Sequence, residues 1–201
     1  MVDSPIIAVN LALLIPATLQ QMLVTLNRTL RAPPEGFRFD TTHLPHLTLA
    51  QLFIPRSEIE RVGGEIGSVL SGLPPLELVT GQILQGRVST TLRVIPTPEL
   101  TALHRRLMVC LAPFDTGRGD ADAFASDGEM PRAADRAWIS MFRQESAFAF
   151  FAPHITLGVG RVENLGKPSR FVARDVALCQ LGRFCTCRYV LDSWTLIVPR
   201  Q

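Results

Sequence analysis

Lysine is almost missing from this chain. Of 20 basic residues only Lys167 is a lysine, and the formal net charge is +2. So small a balance argues against wrapping long duplex nucleic acid by charge alone, since that requires many phosphates to be neutralised. It leaves room for one phosphate or one RNA end. Arginine suits bidentate phosphate recognition, but a compositional bias of the genome produces the same count, so the arginines alone assign nothing. Cysteine is also scarce. Cys110, Cys179, Cys185 and Cys187 contain no CxxC pair and no zinc-finger spacing, which is the pattern expected of a reduced, cytoplasmic protein. Cys185 and Cys187 share one face of an expected strand, where packing explains them better than ligation. No long apolar run is present either. The first residues are apolar after Pro5, but Asp3, the lack of a basic start and Gln20-Gln21 argue against a leader or a membrane span.

What is present is an ordinary globular composition, 47% apolar over 201 residues, enough for one well-cored domain spanning 1–201. Ile6 to Leu14 is strand-like. A helix opening near Pro16 and running to about Arg31 carries Leu19, Met22, Leu23, Leu26 and Leu30 as its apolar stripe. Phe37-Arg38-Phe39 reads as a short strand and His46 to Ile54 as a longer one. A helix follows Pro55, with Ser57 as its N-cap, and ends at Gly72-Leu73-Pro74-Pro75. Leu76 to Leu84 and Ser89 to Ile95 form two strands around a turn at Gln85-Gly86-Arg87-Val88. The next helix starts at Thr97-Pro98-Glu99 with Leu100, Leu103, Leu107 and Leu111 on one side. Residues 115–146 read as an inserted loop and helix, the helix burying Ala134, Trp138, Met141 and Phe142. Val172 to Leu181 and Phe184 to Val198 close the chain as a strand pair around Gly182-Arg183. Strand-helix units repeated twice predict an α+β fold with a bilobal, pseudo-twofold layout: two mostly antiparallel sheets line a central cleft, and helices lie outside.

The repeat is sharpest in a pentapeptide. Pro45-His46-Leu47-Thr48-Leu49 returns as Pro153-His154-Ile155-Thr156-Leu157, and these two histidines are half of the four in the chain. Strand alternation puts His46 and Thr48 on one face and Leu47 and Leu49 on the other, with the second copy dividing the same way. One such histidine is usually structural. Two at equivalent places point to a site, because a local twofold brings two imidazoles and two hydroxyls to one cleft. An unperturbed imidazole titrates near pH 6.5, so one ring can take a proton from attacking water while the other protonates the departing oxygen. Thr48 and Thr156 can donate to the non-bridging oxygens of a phosphodiester.

The two His-x-Thr-Leu strands, with the element order around them, resemble the two-histidine (2H) phosphoesterase superfamily, which includes 2′-5′ RNA ligase-like and cyclic phosphodiesterase proteins. The resemblance implies His46 and His154 as catalytic residues and Thr48 and Thr156 as phosphate-binding residues. It also implies a ribose 2′,3′-cyclic or 2′-5′ phosphodiester of a nucleotide or RNA end as substrate, with no cofactor. Arg87 and Arg183, in matching turns, and Phe151 (beside Phe150), for base stacking, are accessory candidates, each with a bland alternative as solvated or core side chains. Two other readings stay open: a module that binds a nucleotide or RNA end without turnover, and a metal site built from His43, His46 and His154. His104 is expected to be a surface or packing residue. A monomer with a small nucleotide or RNA-end partner is expected.

Overall fold

A computed structural model describes residues 5–86, 88–126, 128–162 and 168–197. Strand β1 (Ile6–Leu14) leads into helix α1 (Ala17–Arg28), and β2 (His46–Pro55) into α2 (Ile59–Leu70). The hairpin β3 (Leu76–Gln85) and β4 (Thr90–Val94) is followed by α3 (Pro98–Cys110) and α4 (Ala133–Glu145), and the chain closes with β5 (His154–Gly158), β6 (Arg170–Ala173), β7 (Asp175–Leu181) and β8 (Cys187–Thr195). The class is α+β. All eight strands join in the order β6-β3-β4-β5-β2-β1-β7-β8, with antiparallel pairing throughout.

The two expected sheets are therefore two four-stranded halves joined edge to edge. The joint is between the two histidine strands, and it rests on one paired position, Leu47 with Ile155. Reading outward from it, β2-β1-β7-β8 mirrors β5-β4-β3-β6, which is the pseudo-twofold in strand order. The halves exchange strands. β3 follows β2 in the chain but pairs with β4, while β7 returns from the C-terminal part to pair with β1. The apolar run from Val172 to Leu181 is split at Arg174, so that β6 joins β3 and β7 joins β1.

Alternation along β1 shows the two faces. Ile7, Val9, Leu11 and Leu13 enter the main core, where the apolar stripes of α1, α2 and α3 cover the sheet, whereas Ala8 and Ala12 enter smaller clusters on the opposite face. Helix α3 matches its predicted stripe, with Leu100, Leu103, Leu107 and Leu111 all buried, and the Thr97 hydroxyl caps it by accepting from Leu100 N at 3.1 Å. Three expectations need correction. The N-cap position of α2 falls on Glu58 and not on Ser57, because a 3-10 turn over Arg56–Glu58 precedes the helix. Phe37 to Phe39 is no strand; its carbonyl and amide groups are taken by Asn27, whose Nδ2 donates to Phe37 O and Leu157 O while its Oδ1 accepts from Phe39 N. In α4 the buried residues are Asp135, Ile139 and Phe142, and Trp138 and Met141 are 42% and 41% exposed.

Although its Phe114 and Phe142 belong to the main core, part of the 112–146 segment lies on the face opposite α1–α3. Ala123, Phe124 and Ile139 pack there on Ala8, Phe53 and Leu181. Gly119 allows the close approach, since a Cβ at that position would lie 2.4 Å from the Phe53 ring.

Candidate active site

Both pentapeptides fold as their alternation predicts. Leu47, Leu49, Ile155 and Leu157 are fully buried in the core, and His46, Thr48, His154 and Thr156 are half-buried on the other face. The antiparallel register at Leu47 and Ile155 sets His46 on the Thr156 side and Thr48 on the His154 side. All four side chains line one cavity of about 570 Å³.

Each imidazole is held by the same local bond. His46 Nδ1 lies 2.7 Å from Leu44 O, and His154 Nδ1 lies 2.8 Å from Ala152 O, so each ring nitrogen bonds the carbonyl two residues before it. A carbonyl only accepts, so Nδ1 carries the proton in both rings, and in the neutral form each Nε2 keeps a lone pair. The surroundings differ. Burial lowers the pKa of His46; its bond to Leu44 O works the other way, and the nearby His154 charge lowers the pKa further. Across the ladder His46 faces Leu14, whereas His154 faces the exposed Arg93. Arg93 does not line the cavity, and its place beside His154 comes from strand register alone.

The 112–146 segment supplies much of the remaining wall. Arg132, Ala134 and Trp138 line the cavity, and so do Phe150 and Phe151 from the segment that leads into β5. Arg132 is the only arginine or lysine among the described lining residues, and its charge is already engaged. Its Nε lies 3.0 Å from Asp135 Oδ1, and its guanidinium stacks 4.0 Å from the Phe184 ring centroid. Asp135, 1% exposed, also accepts from Arg132 N at 2.8 Å and Phe184 N at 3.1 Å, which satisfies a carboxylate buried in the helix face. The Cys185 thiol lines the same wall, but burial, and then the Asp135 carboxylate, push its pKa up and keep it protonated.

The accessory candidates separate. Arg183 donates to Met130 O at 3.0 Å and Pro34 O at 3.2 Å and does not line the cavity, so it ties loops together. Arg87 lies outside the described residues, although its neighbours Val88 and Ser89 line the cavity. Phe151 lines it too, with one ring face stacked on His104 at 3.8 Å and 3°. Phe150 is 67% exposed. His104 is a packing residue in the fullest sense: it is buried, its Nε2 accepts from Phe148 N at 2.9 Å, and its Nδ1 therefore donates to Leu49 O at 2.7 Å. It bridges the strand that carries His46 and the segment that delivers His154. His43 also lines the cavity, but its Nδ1 sits 3.1 Å from Asp40 Oδ1 and 3.0 Å from Arg188 Nη1, and its ring stacks on Phe37. Among the described residues no three His, Cys, Asp or Glu side chains converge as metal ligands, and no helix is long and apolar enough to cross a membrane.

No protein-family model and no curated protein sequence matches the chain. Solved structures do. A crystal structure of a phosphoesterase aligns at a TM-score of 0.60 with 20% identity over 94% of this chain and 98% of its own. LigT from E. coli, complexed with 3'-AMP, aligns at 0.60 with 15% identity over 96% and 99%, and the same protein complexed with phosphate aligns at 0.60 with 18% identity over the same shares. The chain thus has, over nearly its whole length, the fold of that phosphoesterase and of LigT, with its own two histidine strands at the centre of the sheet.

Proposed function

We propose that the chain is a phosphodiesterase that hydrolyses 2′,3′-cyclic phosphate or 2′-5′ linkages of nucleotides or RNA ends with its two histidines as acid and base, without a metal. The observation that carries this reading is the pair of Nδ1-anchored imidazoles, each two residues from a threonine on the same face of its strand, lining one cavity. His46 is the base, because burial and the His154 charge disfavour its protonated form. It takes a proton from the water that attacks phosphorus. The bond from phosphorus to the ribose 2′ or 3′ oxygen breaks, and His154 gives its proton to that departing oxygen, leaving a phosphomonoester. Thr48 and Thr156 donate to the non-bridging oxygens, where charge builds up.

Charge supports a diester over a monoester. Arg132, the only arginine or lysine among the described lining residues, is paired with Asp135, so beyond a protonated imidazole the cavity offers little positive charge, and a singly charged phosphodiester suits it better than a dianion. The structural neighbour LigT has been seen with 3'-AMP and with ATP, which supports a nucleotide as the ligand and is silent on diester against monoester.

The test is turnover of adenosine 2′,3′-cyclic phosphate in chelator, followed by chromatography. A nucleoside monophosphate product that disappears in His46→Ala and His154→Ala supports the reading. Saturable binding with no product from the intact protein would make the chain a binding module instead.

A further inference from the structure

Trp138 of α4 and Gln51 of β2 are hydrogen-bonded to each other and line the same cavity as the two histidines. We infer that this pair is a subsite for the nucleobase, so the preferred substrate is a nucleoside phosphodiester and not a base-free cyclic phosphate. The inference rests on the proposed chemistry for the phosphate end, but binding at the base can be measured whether or not turnover occurs.

Gln51 reaches this face through a backbone irregularity. Strict alternation from His46 and Thr48 would send residue 51 into the core. Between Leu11 and Ala12 of β1, however, the partner on β2 jumps from Ala50 to Thr48, so Leu49 is an extra residue and both Leu49 and Ala50 join the main core. This bulge shifts the phase by one and turns Gln51 onto the face of the histidines. Gln51 is 4% exposed, and yet it lines the cavity. Its Oε1 accepts from Trp138 Nε1 at 2.8 Å. An indole N–H can only donate, so this bond sets the amide orientation and turns the Nε2 donors to the other side of the group. A nearly buried amide with its donors set in this way can read an in-plane acceptor of a heterocycle.

Trp138 is pinned as well. Its N–H is held by Gln51, and its ring meets the buried Phe142 edge-on, with centroids 6.4 Å apart and planes at 74°. Even so, 42% of it is exposed and it lines the cavity with the catalytic pair. A helix side chain needed only for packing would turn inward with Ile139. A rigid, half-open indole is instead a stacking platform, and every base offers it a π-face.

The experiment compares adenosine 2′,3′-cyclic phosphate with ribose 2′,3′-cyclic phosphate, which has no base. In Trp194→Phe protein Trp138 is the sole tryptophan, because the chain has two. The nucleoside ligand should quench its emission saturably and the base-free ligand should not. By calorimetry the intact protein should prefer the nucleoside ligand by about ten- to a hundredfold, the range given by one stacked base, and Trp138→Ala should reduce that preference to within about threefold. Gln51→Leu should reduce it partly. Equal affinity of the intact protein for both ligands, or an unchanged preference in a folded Trp138→Ala protein, would overturn the inference. Quenching and preference without any product would uphold the base subsite and sink the proposed hydrolysis. Hydrolysis at equal rates for both ligands with no preference in affinity would do the reverse.

Discussion

The two histidine strands share a sequence, an anchor and a position at the joint of the sheet, yet they sit in unlike surroundings. Around His46 the ladder neighbour is Leu14, which packs with the small cluster of Ala12, Ala177, Cys179 and Cys187. Around His154 the ladder neighbour is Arg93, open to solvent. The repeat thus sets both imidazoles on one cavity, and the burial around His46 favours its neutral form, which is what the proposed base role requires. A symmetric site would leave the two roles interchangeable.

The comparison can be broken at its centre first. Changing either His46 or His154 to alanine should reduce turnover by roughly two to four powers of ten, and the double variant should fall little further, because acid and base act as a unit. Next come the hydroxyls: Thr48→Val and Thr156→Val should each cost about ten- to several-hundredfold in kcat, since each removes one donor to developing charge. A loss confined to one of them would show that the phosphate leans on one half.

The bridge between the halves affects stability. His104→Leu leaves Leu49 O and Phe148 N without their partner, which should cost roughly 1–3 kcal/mol and lower Tm by about 2–4 °C per kcal/mol. The pH dependence has a definite sign. Burial lowers the pKa of both His46 and His104, so below the ordinary value near 6.5 the unfolded chain binds more protons than the folded one. The contribution of these two groups is complete above that pH and is lost as pH falls below it, and melting curves from pH 8 to 5 should show Tm decreasing over that window. The same shift places the acidic limb of the pH-rate profile below about 6.5. The smallest effect is expected from Arg93→Leu, which makes the two ladders alike. An exposed cation contributes little, so the affinity for the anionic ligand should weaken only a few-fold, more at low salt than at high.

Legibility in the sequence followed the range of the interactions. The pentapeptides, the α3 stripe and the helix start at Thr97-Pro98-Glu99 are set by residues close in the chain, and local pattern finds them. The exchange of β3 and β7 between halves, the split at Arg174 and the bulge at Leu49 depend on partners far away in sequence, so no local pattern carries them. Helix α4 misled for a different reason. Trp138 and Met141 have apolar spacing, but the buried face of that helix holds Asp135 beside Ile139 and Phe142, and the Asp135 charge is acceptable there because Arg132 and Phe184 N meet it. Phe37 to Phe39 looked like a strand because side-chain capture by Asn27 leaves no periodic trace.

The most direct measurement is the rate of hydrolysis of adenosine 2′,3′-cyclic phosphate by the intact protein and by the His46→Ala, His154→Ala double variant, both in chelator. The account predicts a nucleoside monophosphate product from the first and a loss of at least about a hundredfold in the second. Equal rates from the two proteins would contradict it.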